Sequence, residues 1–335
     1  MTSSDGGQMR LEPQEKPKRN IGHKDTLIVD GHVDLTHFMM KQGRDLKLSA
    51  LEEGPFTLKK IREGGVRLFA NALYCEDRYN GEKSIKRLEQ ILKFTTAHFD
   101  EVTLIRNKAD LEGLEKGPGS PGTLLLLENA DALAGDFSYI DKLMEWGIRI
   151  VGLTHVGKNR LADGNNILYS EGLTKEGKEI VRALKEQGIL IDIAHLHPKC
   201  FWELLKLTES PVVSSHTGVR AVCDTQRNLG LDQIKEVIAR GGLVGVTFNP
   251  EMLSPDGKAT IEHIFIHLDV MVQKFGPDGV AIGSDFCGFE GAAKGLEEIT
   301  KIPQLIDHMV KHGYDEEAVE KIMGLNWLKI YKRIL

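Results

Sequence analysis

Two residues apart in "LIVDGHVDLTH", residues 27–37, stand His32 and Asp34, an imidazole and a carboxylate closing a short apolar run. Further along, Glu128, His155, His195, His216 and Asp285 each stand at or just past the end of another apolar run. Nitrogen and carboxylate-oxygen donors of this kind suit Zn²⁺ or a similar divalent ion. Three histidines and two carboxylates, His32, Asp34, Glu128, His195 and His216, exceed what one tetrahedral ion needs. Two ions sharing one carboxylate would use all five and leave a position for water. Such a water is a nucleophile near neutral pH, because a single zinc ion lowers its pKa to about 7.

Residues so far apart in the chain can act together only if the fold gathers the strand ends. Strands are expected at 27–35, 66–74, 123–129, 148–155, 189–196, 211–217, 243–248 and 280–286, with near-continuous hydrophobicity of the kind shown by parallel strands covered on both faces. Between them "EKSIKRLEQILKFTTAHF", "TKEGKEIVRALKEQG" and "LDQIKEVIARGG" carry apolar residues at three- and four-residue spacing. Eight strand–helix units over some three hundred residues predict an α/β fold of the (β/α)8 TIM-barrel type. All eight strand ends of such a barrel open on one mouth, where active sites lie. An open doubly wound sheet is the second choice, weakened because no glycine-rich phosphate loop follows the first strand.

At 335 residues the chain can bury roughly three quarters of its unfolded surface. Hydrophobic residues make up 41% and charged residues 27%, an ordinary globular mixture. A net charge of −6 argues against the concentrated basic face that nucleic acid or an anionic membrane requires. No run of eighteen apolar residues suggests a bilayer span. Residues 1–24 lack the apolar stretch of a secretory signal and read as a disordered tail, leaving 25–335 as a single barrel domain and a cytoplasmic location as the expectation. Cys75, Cys200, Cys223 and Cys287 form no CxxC pair and are expected reduced, with a disulfide left open.

Other histidines pass the spacing test less well. His263 and His267, like His308 and His312, are four residues apart on expected helices, but neither pair has a following Glu or a convincing third ligand, so solvated helix faces are expected. His197 competes with His195 in "HLH" and ranks second because it lies beyond the apolar run. His37 and His23 read as loop residues.

Taken in order, "DGHVDL", "LENADAL", "LTHVGKNRLADG", "GLTKEGKEIVRALKEQGILIDIAHL", "VVSSHTGVRAVCDTQRNL" and "AIGSDF" resemble the membrane (renal) dipeptidase family, peptidase family M19, over roughly residues 25–330. The resemblance implies a dinuclear-zinc barrel hydrolase, a metallopeptidase cleaving dipeptides by a metal-bound hydroxide, with a D-residue tolerated at the C-terminal position in some members. It further implies His32 and Asp34 on one ion, His195 and His216 on the other, and Glu128 bridging. His155 would stabilise the oxyanion, Arg227 would bind the substrate carboxylate, and Asp285 would handle the proton and the free amine. This chemistry is coherent in itself: a hydrogen-bonding imidazole offsets an oxyanion, a carboxylate moves a proton, and a planar guanidinium grips a terminal carboxylate. Val33 and Asn129 replace residues commonly Asn and Gly in the family, and Cys287 stands where Asp commonly follows "DF". None is an implied ligand, so the departures bear on substrate preference. The implied partner is a small dipeptide, with a homodimer left open.

Two rival readings remain at this stage. Another metal-dependent amidohydrolase on the same barrel, a deaminase, lactonase or amidase, would more often begin with His-x-His and use a modified lysine on the fourth strand. A non-catalytic metal-binding barrel would keep the ligands and lose His155 and Asp285.

Overall fold

The computed structural model describes residues 26–43, 45–115 and 119–335. Among these residues nine strands run parallel: β1 (Ile28–Val33), β2 (Val66–Tyr74), β3 (Thr103–Leu104), β4 (Gly122–Glu128), β5 (Ile148–Gly152), β6 (Leu190–Asp192), β7 (Val212–Thr217), β8 (Leu243–Val246) and β9 (Val280–Ile282). Eight of them follow one another around a ring in the order β1-β2-β4-β5-β6-β7-β8-β9, while the two-residue β3 pairs only with β4. Past the end of β9 the ring closes through a parallel bridge between Phe286 and Val33, the last residue of β1. There the Asp285 amide donates to the His32 carbonyl and the Asp34 amide to the Phe286 carbonyl, each at 2.9 Å. The expected TIM barrel is the observed fold.

Every residue of β1 and β4 is buried, as expected for strands packed on both faces. Register levels the strand ends, since Tyr74 lies opposite Glu128, Glu128 opposite Gly152 and Gly152 opposite Asp192. The helices expected from periodicity form at Glu82–His98, Lys175–Glu186 and Leu231–Ala239. Thr174 starts the second of them by accepting a hydrogen bond from the Gly177 amide at 2.9 Å.

Four strands end earlier than the apolar runs suggest: β5, β6, β8 and β9 stop at Gly152, Asp192, Val246 and Ile282. Beyond those points the backbone bends away from the ladder. His195, Asp285 and Cys287 take φ of 64°, 63° and 73°, and Asn129 after β4 takes 69°. Left-handed backbone at residues with a Cβ costs of order 1–3 kcal/mol each and gathers at functional sites. The mouth is where this barrel concentrates it.

The opposite end is sealed by apolar packing. Trp327, Leu328, Ile330 and Tyr331, on the helix Asn326–Ile334, form one core with Val29, Leu68, Leu124, Leu126, Ile150, Val213 and Ala281 of the strands. Trp327 Nε1 donates to the Ile282 carbonyl at 2.8 Å, and Asn326 Nδ2 donates to the Pro277 and Val280 carbonyls. Gly31 makes this contact possible, because a Cβ there would lie 2.2 Å from the indole. A larger core fills the space around the ring of strands.

All four thiols are free, and three of them are buried. No helix among the described residues is long and apolar enough to cross a membrane. The tail expected at residues 1–24, including His23, lies outside the described residues.

Candidate metal centre

Glu128, the last residue of β4, is the hub of the mouth. Its Oε2 lies 3.9 Å from His32 Nε2, and its Oε1 lies 2.9 Å from His195 Nε2 and 4.0 Å from His216 Nε2. His32 Nε2 is also 3.4 Å from Asp34 Oδ2. All five residues expected as ligands therefore meet, two on one side of Glu128 and two on the other. The candidate ligand atoms of His32, Asp34 and Glu128 fall within 4.8 Å of one another, as do those of Glu128, His155 and His195.

This donor set fits divalent ions on three counts. His32 Nε2 is buried between two carboxylates without a hydrogen-bond partner. His195 Nε2 and His216 Nε2 face each other at 3.1 Å, a convergence of imidazole nitrogens that a shared cation explains. Behind them Ser215 Oγ lies 3.0 Å from His32 Nδ1 and 2.9 Å from His216 Nδ1. A hydroxyl oxygen can accept from both rings, and the Ser215 hydroxyl helps hold the Asp192 carboxylate. Both histidines then carry their proton on Nδ1 and keep Nε2 free to ligate, the usual arrangement behind metal-bound imidazoles.

Charge in the protein alone tells the same story. Burial pushes His32 down, but the adjoining Asp34 carboxylate and the charge of Glu128 outweigh it and hold the ring at about 10. In effect a proton stands where positive charge is wanted. Burial raises Glu128, yet the His195 hydrogen bond and the charge of His32 pull it well below the ordinary carboxylate range. Burial, then the cations Arg227 for His195 and His32 for His216, keep both of those rings neutral. Asp285 is pushed well above the carboxylate range by burial and by its neighbour Asp34.

A cavity of about 410 Å³ opens over this hub, lined by Asp34, Glu128, His155, His195, Arg227 and Asp285, a volume suited to a small ligand. A wider one of about 770 Å³ adjoins it past His37 and Gly288, without the convergent ligands. Gly288 is required by space: a Cβ there would sit 2.3 Å from Asp34 Oδ2 and 2.4 Å from Asp285 Oδ1. Arg227 is half-buried, donates to the His216 carbonyl at 3.1 Å and forms no ion pair among the described residues. A half-buried guanidinium in a cavity wall, with no carboxylate in ion-pair contact, is an open seat for an anion.

Several participants escape a reading of motifs. Asp77 Oδ2 lies 3.2 Å from His155 Nδ1 and 3.1 Å from the Gly157 amide, and the Tyr74 hydroxyl lies 3.3 Å from the same ring nitrogen. Both follow or end β2, one of two strands from which the sequence offered no candidate. Asp192 and Ser215 were visible only as polar residues inside the apolar runs "ILIDIAHL" and "PVVSSHT". His197, the competitor of His195, instead caps the helix Pro198–Leu205 by accepting from the Lys199 amide. His37 belongs to the helix Leu35–Lys41 rather than to a loop and lines the cavity. The expectation of a solvated face fails at His267, which is fully buried, accepts from the Val219 amide and reaches the Leu253 carbonyl.

The model of the membrane dipeptidase family, peptidase family M19, matches residues 19–334. The chain belongs to that family. With it the chain takes its place among the metal-dependent peptide-bond hydrolases. It is 26% identical over 310 residues to Dipeptidase tcpJ of Claviceps purpurea (strain 20.1), covering 91% of this chain and 69% of that one. It is 24% identical over 325 residues to mouse (Mus musculus) Dipeptidase 3, covering 93% of this chain but 65% of that protein, a little under two thirds. Among solved structures, a metallopeptidase from Rhodobacter sphaeroides, liganded with a phosphinate mimic of the dipeptide L-Ala-D-Ala, shares the fold with a TM-score of 0.84 at 23% identity. The alignment covers 93% of this chain and all of that one, 100%.

Proposed function

We propose that this M19 chain is a dinuclear zinc dipeptidase, with His32 and Asp34 serving one ion, His195 and His216 the other, and Glu128 both. The observation that carries the reading is Glu128, flanked by imidazoles on each side and facing the same cavity as an unpaired Arg227. Bound divalent ions supply a nucleophilic water at neutral pH and polarise the scissile carbonyl.

The chain's own groups supply the rest. Arg227 binds the substrate's C-terminal carboxylate, which fixes the scissile amide at one depth in the cavity. His155, held through Nδ1 by Asp77, presents its other ring nitrogen to the oxygen that gains charge. Asp285, kept readily protonated by its surroundings, delivers a proton to the leaving amine and contacts the free amino group. The L-Ala-D-Ala mimic on the Rhodobacter protein supports the view that a D-residue is accepted at the second position.

The test is a panel of L,L and L,D dipeptides, their amides and tripeptides, on the zinc-loaded enzyme and on Arg227→Met. Removing one partner of a buried charge pair costs roughly 2–5 kcal/mol, so kcat/KM for dipeptides should fall about thirty-fold to several thousand-fold. Amides should be poor substrates from the start and lose much less. Equal losses on both, or tripeptides cleaved as readily as dipeptides, would replace this reading with a broader amidohydrolase.

A further inference from the structure

The second pair of helical histidines finds in space the third ligand that its own helix lacks. His308 lies on the helix Ile302–Lys311 and His312 caps its C-terminal end, while Glu262 stands in the first turn of the helix Ile261–Phe275. The candidate ligand atoms of the three lie within 4.8 Å of one another, and Glu262 Oε2 is 2.8 Å from His308 Nε2. We propose that Glu262, His308 and His312 form a further, peripheral site for a zinc-type divalent ion that links the helices of the last two strand–helix units.

Three features favour an ion over a simple ion pair. Despite its closeness to the carboxylate, His308 Nε2 is buried and makes no hydrogen bond, the same signature as His32 Nε2 at the mouth. His312 Nδ1 lies 2.8 Å from the His308 carbonyl. A carbonyl only accepts, so the ring proton is on Nδ1 and the Nε2 lone pair of the neutral ring is left to ligate. The Phe265 ring buttresses both imidazoles, with ring centres 5.0 Å from His308 and 4.4 Å from His312. The site also lies at a helix C-terminus, whose unpaired carbonyls favour a cation.

Two imidazoles and one carboxylate match the ligand sets that hold zinc while leaving a coordination position to water. Bonds of about 2.0–2.2 Å require the outer donors to close in slightly, a movement open to Glu262 because its side chain is half exposed. Magnesium and calcium, which prefer oxygen ligands, should not compete. The Glu262 to His308 link crosses between two helices that pack together, so a bound ion adds a tie between elements 46 positions apart in sequence. It lies outside the catalytic cavity and should leave turnover alone.

The experiment starts from holoenzyme already loaded at the mouth, freed of loose metal by gel filtration, then titrated with zinc by calorimetry in the presence of millimolar magnesium. One further ion should bind, and added zinc should raise the melting temperature. Glu262→Gln and His312→Ala should each weaken that uptake by about a hundredfold and abolish the zinc-dependent rise in melting temperature, with dipeptide turnover unchanged. Absence of further uptake by the wild-type holoenzyme, or uptake that survives either substitution, overturns the site. Because the variants are compared with wild type for the extra ion alone, the result stands apart from whether the mouth hydrolyses dipeptides.

Discussion

The two ends of this barrel are built on opposite principles. At one end Trp327 and Tyr331 seal the ring with buried rings, and the indole's single polar atom is satisfied by the Ile282 carbonyl. At the other, ionisable side chains crowd together, and four residues with side chains, Asn129, His195, Asp285 and Cys287, hold left-handed backbone. Burial at the first end stabilises the fold. At the second it pushes Asp285 well above the carboxylate range and leaves Arg227 without an anion, so the fold's stability is lowered there in favour of a site prepared for charge.

That division can be tested by substitution at each end. Asp285→Asn keeps the size of the side chain but cannot carry the proton, so turnover should fall by about 10²–10⁴-fold with metal content retained. Its melting temperature should equal or exceed that of the parent, because a carboxylate buried beside Asp34 is removed. An active variant would contradict the assignment. Trp327→Ala should do the reverse, costing about 3–5 kcal/mol of stability through the cavity it leaves, while turnover per folded molecule stays near the parent value. Denaturant unfolding and activity at low temperature read the two effects separately.

Finer distinctions lie at the mouth itself. Ser215→Ala removes the oxygen behind both His32 and His216, so affinity for the ions should drop about ten- to a hundredfold, measured by competition with a chelator. Affinity equal to the parent's would mean that the two rings are oriented by packing alone. His197→Ala should change least, losing a helix cap worth at most about 1 kcal/mol, with metal content unaltered. Loss of an ion in that variant would show that the other histidine of "HLH" ligates.

Much of this was written along the chain. Eight apolar runs with intervening helical periods predicted the barrel, because parallel strands covered on both faces need nearly continuous hydrophobicity. His32, Asp34, Glu128, His155, His195, His216 and Asp285 stood out because each breaks such a run where a strand meets the mouth. Less local properties were hidden. Strands β5, β6, β8 and β9 end before their apolar runs do, since apolar side chains continue past the point where hydrogen-bonded pairing stops.

What the sequence determined alone was the order of strands and helices and the kinds of ligand available, both of which depend on spacing within one element. Tertiary structure decided which candidate ligands face one another across Glu128, and which polar residues stand behind them. Asp77 reaches His155 across two strand–helix units, Ser215 serves His32 from the far side of the barrel, and Glu262 finds His308 on a neighbouring helix. His267 has the same i, i+4 spacing from His263 as His312 has from His308, yet it is buried on backbone groups, because the surface that its helix packs against decides what each face meets. A period of 3.6 residues says which side chains share a face, and only the packed neighbours say whether that face meets solvent, core or another ligand.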